Sequence, residues 1–178
     1  WGGQDGLPRI ILTATSHEFP QEPFRLNVAE FRIDEDSVFR RIKTISYAIH
    51  AAALKQARRE KLDDAILLNS KNHVAEVTSA NIFWVKRGRV YTPPISAGCL
   101  DGVTRLELLA QAPKWGVSIA ERNCSLDTLI KADEVFISST LKVVSPVGMI
   151  KTDKGTVRFE TGPVTRMLQE NFYKLLKV

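Results

Sequence analysis

The chain has 178 residues, 44% of them hydrophobic and 25% charged, proportions that suit one ordinary globular domain and exclude a disordered, collagenous or disulfide-stapled chain. Twenty-five Lys and Arg stand against 20 Asp and Glu, a net charge of +5, which allows an anionic ligand without pointing to nucleic acid. No apolar run approaches the roughly 20 residues needed to cross a bilayer, and no basic-then-apolar leader opens the chain.

Cys99 and Cys124 fit a reducing, cytoplasmic compartment, and neither they nor His17, His50 and His73 show zinc-ligand spacing. There is no P-loop, no GxGxxG, no repeat and no low-complexity tract.

In chain order, the turn-rich opening Trp1 to Gly6 reads as a loop. Ile10 to Ala14 is a short apolar, β-branched run and is expected to be a buried strand. Pro20 and Pro23 punctuate a loop before a second strand, Leu26 to Ile33. A basic stretch, Arg40-Arg41-Ile42-Lys43, precedes an alanine-rich segment from Tyr47 to Lys61 that reads as a helix with cations at its C-terminal end.

Ala65 to Leu68 is a strand, and Asn69 to Asn72 a turn. Asn81 to Lys86 and Arg89 to Thr92 form a hairpin about Arg87-Gly88. Val103 to Ala112 is helical, with Leu106, Leu109 and Ala110 on one stripe. Val117 to Ala120 and Val135 to Ile137 are strands, with a short helix starting at Ser125 between them. The tail from Pro163 to Leu176 is a helix with Pro in its first turn and Thr161 as a candidate cap. The mixture, without strict βαβ alternation, predicts an α+β domain built on a mixed sheet.

Several residue types along this path can do chemistry. Gly102-Val103-Thr104 lies where a loop becomes a helix, so free amides and the helix dipole favour an anion there; a plain cap at Thr104 explains the same residues. Glu76 is either a solvated turn carboxylate or, if buried, the partner of a donor or cation such as a protonated ring nitrogen. Lys43 follows Arg41 on one face of a candidate strand; neighbouring cations suit an imine-forming amine, while a lysine in a basic run is more often solvated. Ser138-Ser139-Thr140 ends a strand with hydroxyls that suit either a phosphate or a turn.

Taken jointly, Glu76, Thr78, Asn81, Ile82 and Phe83, then Val90-Tyr91-Thr92, then Leu100-Asp101-Gly102-Val103-Thr104-Arg105 resemble the class-IV aminotransferases, the pyridoxal-phosphate enzymes of fold type IV. The similarity runs from about residue 25 to the end and includes Gly162-Pro163-Val164-Thr165. It implies pyridoxal 5'-phosphate as cofactor. Lys43 would hold it covalently, Tyr47 would bond the ring oxygen and Glu76 would face the pyridine nitrogen. Gly102, Val103 and Thr104 would grip the phosphate, with Thr140 as a second phosphate ligand. It further implies a large C-terminal domain at 21–178, with 1–20 as a junction to a smaller N-terminal domain that carries the phosphate-clasping arginine, and a cytoplasmic homodimer.

Where branched-chain enzymes of the family have Gly-Thr-Ala-Ala to seat a substrate carboxylate, Ser139-Thr140-Leu141-Lys142 stands, so Leu141 and Lys142 are candidate substrate contacts. Val77 after Glu76 and Trp84 after Phe83 lean towards the aminodeoxychorismate lyase branch. The implied activity is 4-amino-4-deoxychorismate lyase, forming p-aminobenzoate and pyruvate. The alternatives are an amino-acid aminotransferase, branched-chain or D-specific, and a catalytically silent binding module using Arg58-Arg59 and Lys86-Arg87-Arg89. The expected partner is a small amine or amino acid, with neither nucleic acid nor membrane.

Overall fold

Period-two alternation sorts the strand side chains onto two faces, and that sorting builds the molecule. The computed structural model describes residues 11–176; the turn-rich opening and Ile10 lie outside them. The strands are β1 (Phe24–Ile33), β2 (Asp64–Asn69), β3 (Val74–Val77), β4 (Asn81–Lys86), β5 (Arg89–Thr92), β6 (Ile119–Glu121), β7 (Glu134–Ser139), β8 (Val143–Thr152) and β9 (Gly155–Arg158). The helices are α1 (Ala48–Arg59), α2 (Val103–Gln111), α3 (Leu126–Leu129) and α4 (Pro163–Leu176).

The strands form one mixed sheet in the order β3-β2-β1-β8-β7-β4-β5-β6, with β9 beside β8. β1 is parallel to β2 and β8, and β5 to β6; the other pairs are antiparallel. β8 joins the two halves of the sheet. Val143 to Pro146 pair with β7, and Val147 to Ile150 pair with β1. Pro146 and Gly148 sit at this handover, where proline and glycine are tolerated inside a strand.

In β4, Ile82 and Trp84 enter one core with Ile66, Leu68, Val135 and Ile137, while Phe83 and Val85 enter a second core under α2 and α4 with Phe136, Leu108 and Leu168. The Phe83 and Phe136 rings stack with centroids 4.8 Å apart. α1 connects β1 to β2 and buries Ala53 and Ala57 against Ala29, Ile33 and Leu67 in a third core. Small alanines let this helix lie close to the sheet. The mixed-sheet α/β fold expected from the sequence is the one observed.

Four local expectations are corrected. Residues 11–14 form no strand, and Ile11 and Leu12 are 84% and 91% exposed. In α2 the buried face is Thr104, Arg105 and Leu108, whereas Leu106 is 47% exposed. The start of α4 is capped by Glu134, whose carboxylate accepts from the Val164 and Thr165 amides at 3.2 and 2.7 Å, while Thr161 offers only its carbonyl to Arg166. The stretch bearing Lys43 is not a strand; it follows a 3-10 turn at Val38–Arg41 and leads into α1.

Candidate active site

The β3–β4 turn and the start of α2 are built as one unit. The pair Val77 and Ala80 closes the turn between the strands. Glu76 and Asn81, on either side, then reach the same peptide: Leu100 N–H donates to Glu76 Oε2 at 2.9 Å, and Asn81 Nδ2 donates to the Leu100 carbonyl at 2.7 Å. Leu100 is therefore held at both ends, which fixes Asp101-Gly102 and the direction in which α2 starts. Gly102 is required there, because a Cβ would collide with Asn81 Oδ1. Arg105, 1% exposed, ties the same loop from below through the Pro93 carbonyl at 3.0 Å and through Glu121.

α2 begins without a side-chain cap, and among the described residues the amides of Val103, Thr104 and Arg105 have no partner. Ser138, near the end of β7, lines the same cleft, and its buried hydroxyl is likewise without a partner. Unpaired donors from two elements of one cleft, one of them a helix N-terminus, fit a phosphate. Thr140 and Leu141 stand at the mouth, Leu141 60% exposed.

In the same cleft, Lys43 donates to Tyr47 Oη at 3.0 Å, one turn along at the N-cap of α1. The ring of Tyr47 lies 4.7 Å from that of His50. His50 Nε2 is 3.3 Å from Glu76 Oε1, and Arg40 Nη2 pairs with the same oxygen. Glu76 is 5% exposed, so it is not a solvated turn carboxylate. The cleft enclosed by these groups measures about 850 Å³, the size of a small-molecule site.

Lys43, Tyr47, Glu76, Gly102, Val103, Thr104, Thr140 and Leu141 all line this cleft; Lys142 does not. Its ammonium is turned inward, 3.0 Å from Asp64 Oδ2 and bonded to Ser79 Oγ. Asp64 also accepts from Thr78 N–H at 3.0 Å, so this buried pair joins the Ser139–Lys142 turn to the β3–β4 turn. Trp84 lies in the core against Tyr91. Arg40 and His50, whose side chains reach Glu76, are cleft residues that sequence reasoning did not single out. His50 had a legible signal, three residues after Tyr47 on the same helix face.

The cleft's chemistry combines an amine beside a phenol, a buried carboxylate paired with an arginine, and unpaired donors suited to an anion. The family model for class IV amino-transferases matches residues 2–150. The chain is 30% identical over 173 residues to aminodeoxychorismate lyase of Vibrio harveyi, covering 93% of this chain and 64% of that protein. It is 35% identical over 132 residues to the branched-chain-amino-acid aminotransferase of Pseudomonas aeruginosa, covering 74% and 42%. Among solved structures, a branched-chain aminotransferase from Thermoproteus uzoniensis, crystallised with norvaline, superposes with a TM-score of 0.83 at 28% identity over 90% of this chain and 54% of that one. The branched-chain amino acid aminotransferase of Thermobaculum terrenum, in its PLP form, gives 0.80 at 27% over 87% and 51%. The chain thus spans about half the length of these relatives. With the shared motif residues gathered on one cleft, and the family model covering most of the sequence, the chain belongs to the class IV aminotransferase family.

Proposed function

We propose that residues 21–178 form the C-terminal, cofactor-holding part of a pyridoxal-phosphate enzyme, with 1–20 as a junction, and that this enzyme is a 4-amino-4-deoxychorismate lyase. The observation carrying the reading is the convergence of Lys43, Glu76 and the unpaired amides at the start of α2 on one cleft. When bound, pyridoxal phosphate supplies an electron sink for the pair left behind as the substrate loses a proton.

The residues then divide the work. The Val103 and Thr104 amides, with the hydroxyls of Thr104, Ser138 and Thr140, hold the phosphate. Glu76, its other contacts satisfied by Leu100 and Arg40, accepts from the ring nitrogen. Tyr47 orients the Lys43 amine and would meet the ring oxygen. Lys43 would hold the coenzyme and, once free, would move the substrate proton. Leu141 meets the substrate at the mouth. Lys142 acts indirectly, by fixing the turn that carries Thr140 and Leu141.

The lyase reading is supported by Leu141 and Lys142 in place of small residues and by a lyase relative aligned over most of the chain. A second reading, an amino-acid aminotransferase, is supported by the aminotransferase relatives at 35% identity. A lyase releases pyruvate and p-aminobenzoate in equal amounts. An aminotransferase instead converts its coenzyme to the pyridoxamine form with an amino acid alone. Full-length protein that does neither removes both readings. A basic binding module is weakened by Lys86, which is paired with Asp133 at 2.7 Å. Among the described residues no helix is long and apolar enough to cross a membrane. A cytoplasmic homodimer remains part of the proposal by family resemblance.

A further inference from the structure

The Lys43 amine sits on a weakly packed segment. Val38, Phe39, Ile42 and Ile45 are 71%, 68%, 60% and 102% exposed, and they are not members of the three buried cores. Its backbone bonds are local, such as Ile42 N–H to the Phe39 carbonyl and Tyr47 N–H to the Ile45 carbonyl. Among the described residues, Arg40 supplies the polar tie from this stretch to the body. Its Nε donates to the Gly98 carbonyl at 2.7 Å, and its Nη2 donates to Glu76. On the far side of Lys43, His50 reaches the same Glu76 oxygen. Both flanks of the amine are therefore moored to the carboxylate that would face the ring.

We infer that Arg40 is a positioning residue that sets the reach of the Lys43 amine toward a carbonyl-bearing coenzyme. The inference rests on the pyridoxal-phosphate reading above. The planar guanidinium fork meets a carbonyl and a carboxylate on two elements with donors held in fixed directions, a geometry that the flexible lysine stem does not impose. Arg40 lies three residues before Lys43, so removing it frees the amine while leaving the phosphate-binding donors of α2 and β7 in place. A displacement of about 1 Å at a reacting atom is costly even when it arises away from the chemistry.

The test compares two ligands with the same ring and phosphate. Pyridoxal phosphate carries the carbonyl that joins an amine; pyridoxamine phosphate does not. Apo-protein is titrated with each, and borohydride trapping at Lys43 is quantified by peptide mass. Arg40→Ala is expected to weaken pyridoxal-phosphate capture roughly tenfold and to lower the trapped fraction, with pyridoxamine-phosphate affinity changed less than about threefold. Arg40→Lys, keeping the charge but one contact, is expected to fall between the two, and it carries the same comparison if the alanine variant does not fold. Equal losses for both ligands would place Arg40 on the ring side and overturn the inference, as would no loss for either. Wild-type protein that captures no pyridoxal phosphate would instead sink the coenzyme reading itself.

Discussion

Leu100 explains the spacing of Glu76, Asn81 and Gly102 in this sequence. Its amide is held by Glu76 and its carbonyl by Asn81, and Gly102 leaves room for Asn81 beneath the start of α2. Gly102→Ala should therefore lower stability by about 1–3 kcal/mol in chemical denaturation, the cost of forcing a methyl into a packed site. A variant as stable as the parent would show that the loop gives way freely. The two thiols make a separate prediction. Burial pushes Cys99 and Cys124 each up to about 12. At neutral pH neither should react with an aromatic disulfide reagent until the protein is unfolded, when both should. The roles proposed for Glu76 and Lys43 were suggested in the sequence only by the family resemblance. Arg40 was not, because the contact that gives it meaning joins residues far apart in the chain: Gly98 lies 58 positions away.

At the level of elements, Glu35, two residues after β1, ties the end of that strand to the turn between β2 and β3. Its carboxylate accepts from Ser70 N–H at 3.1 Å, from Ser70 Oγ at 2.9 Å and from Lys71 Nζ at 3.0 Å. Gly98, with φ of +91°, packs a Cβ-free backbone against it. The Glu35 carboxyl is held down to about 2, first by its own backbone amide and then by Lys71. A depressed carboxylate stabilises the fold above its unfolded value of 4.5 and loses that contribution as pH falls through about 2. Acid titration of Glu35→Gln should show a flatter loss of stability across that window than the parent; an identical curve would contradict the assignment.

The Asp64–Lys142 pair gives another element-level prediction. Lys142→Met leaves Asp64 buried without its cation and should cost about 3 kcal/mol, read from urea melts. A cost near zero would mean the remaining donors to Asp64 suffice. The helices and the β4–β5 hairpin were legible from turn residues and apolar pattern. The α2 face was misread because its buried side includes a polar Thr104 and a charged Arg105, satisfied by partners that periodicity cannot foresee. Ile10 to Ala14 had strand composition, yet Ile11 and Leu12 meet solvent.

Across the whole molecule, one long strand makes the site possible. β8 pairs with β7 on one side and with β1 on the other, so the half-sheet carrying α1 and Lys43 is joined to the half carrying Ser138 and α2. The fold class was legible from the mixture of elements. The strand β8 itself was not, because Pro146 interrupts its apolar run and β1, one of the two different partners that accommodate it, lies far away in the chain. The central claim is that the fold delivers the Lys43 amine to a coenzyme seated between Glu76 and the start of α2. Borohydride reduction of protein incubated with pyridoxal phosphate, followed by peptide mass analysis, tests it most directly. The account predicts one phosphopyridoxyl label, on Lys43, and none in Lys43→Ala; a label on another lysine, or one that survives the substitution, would contradict it.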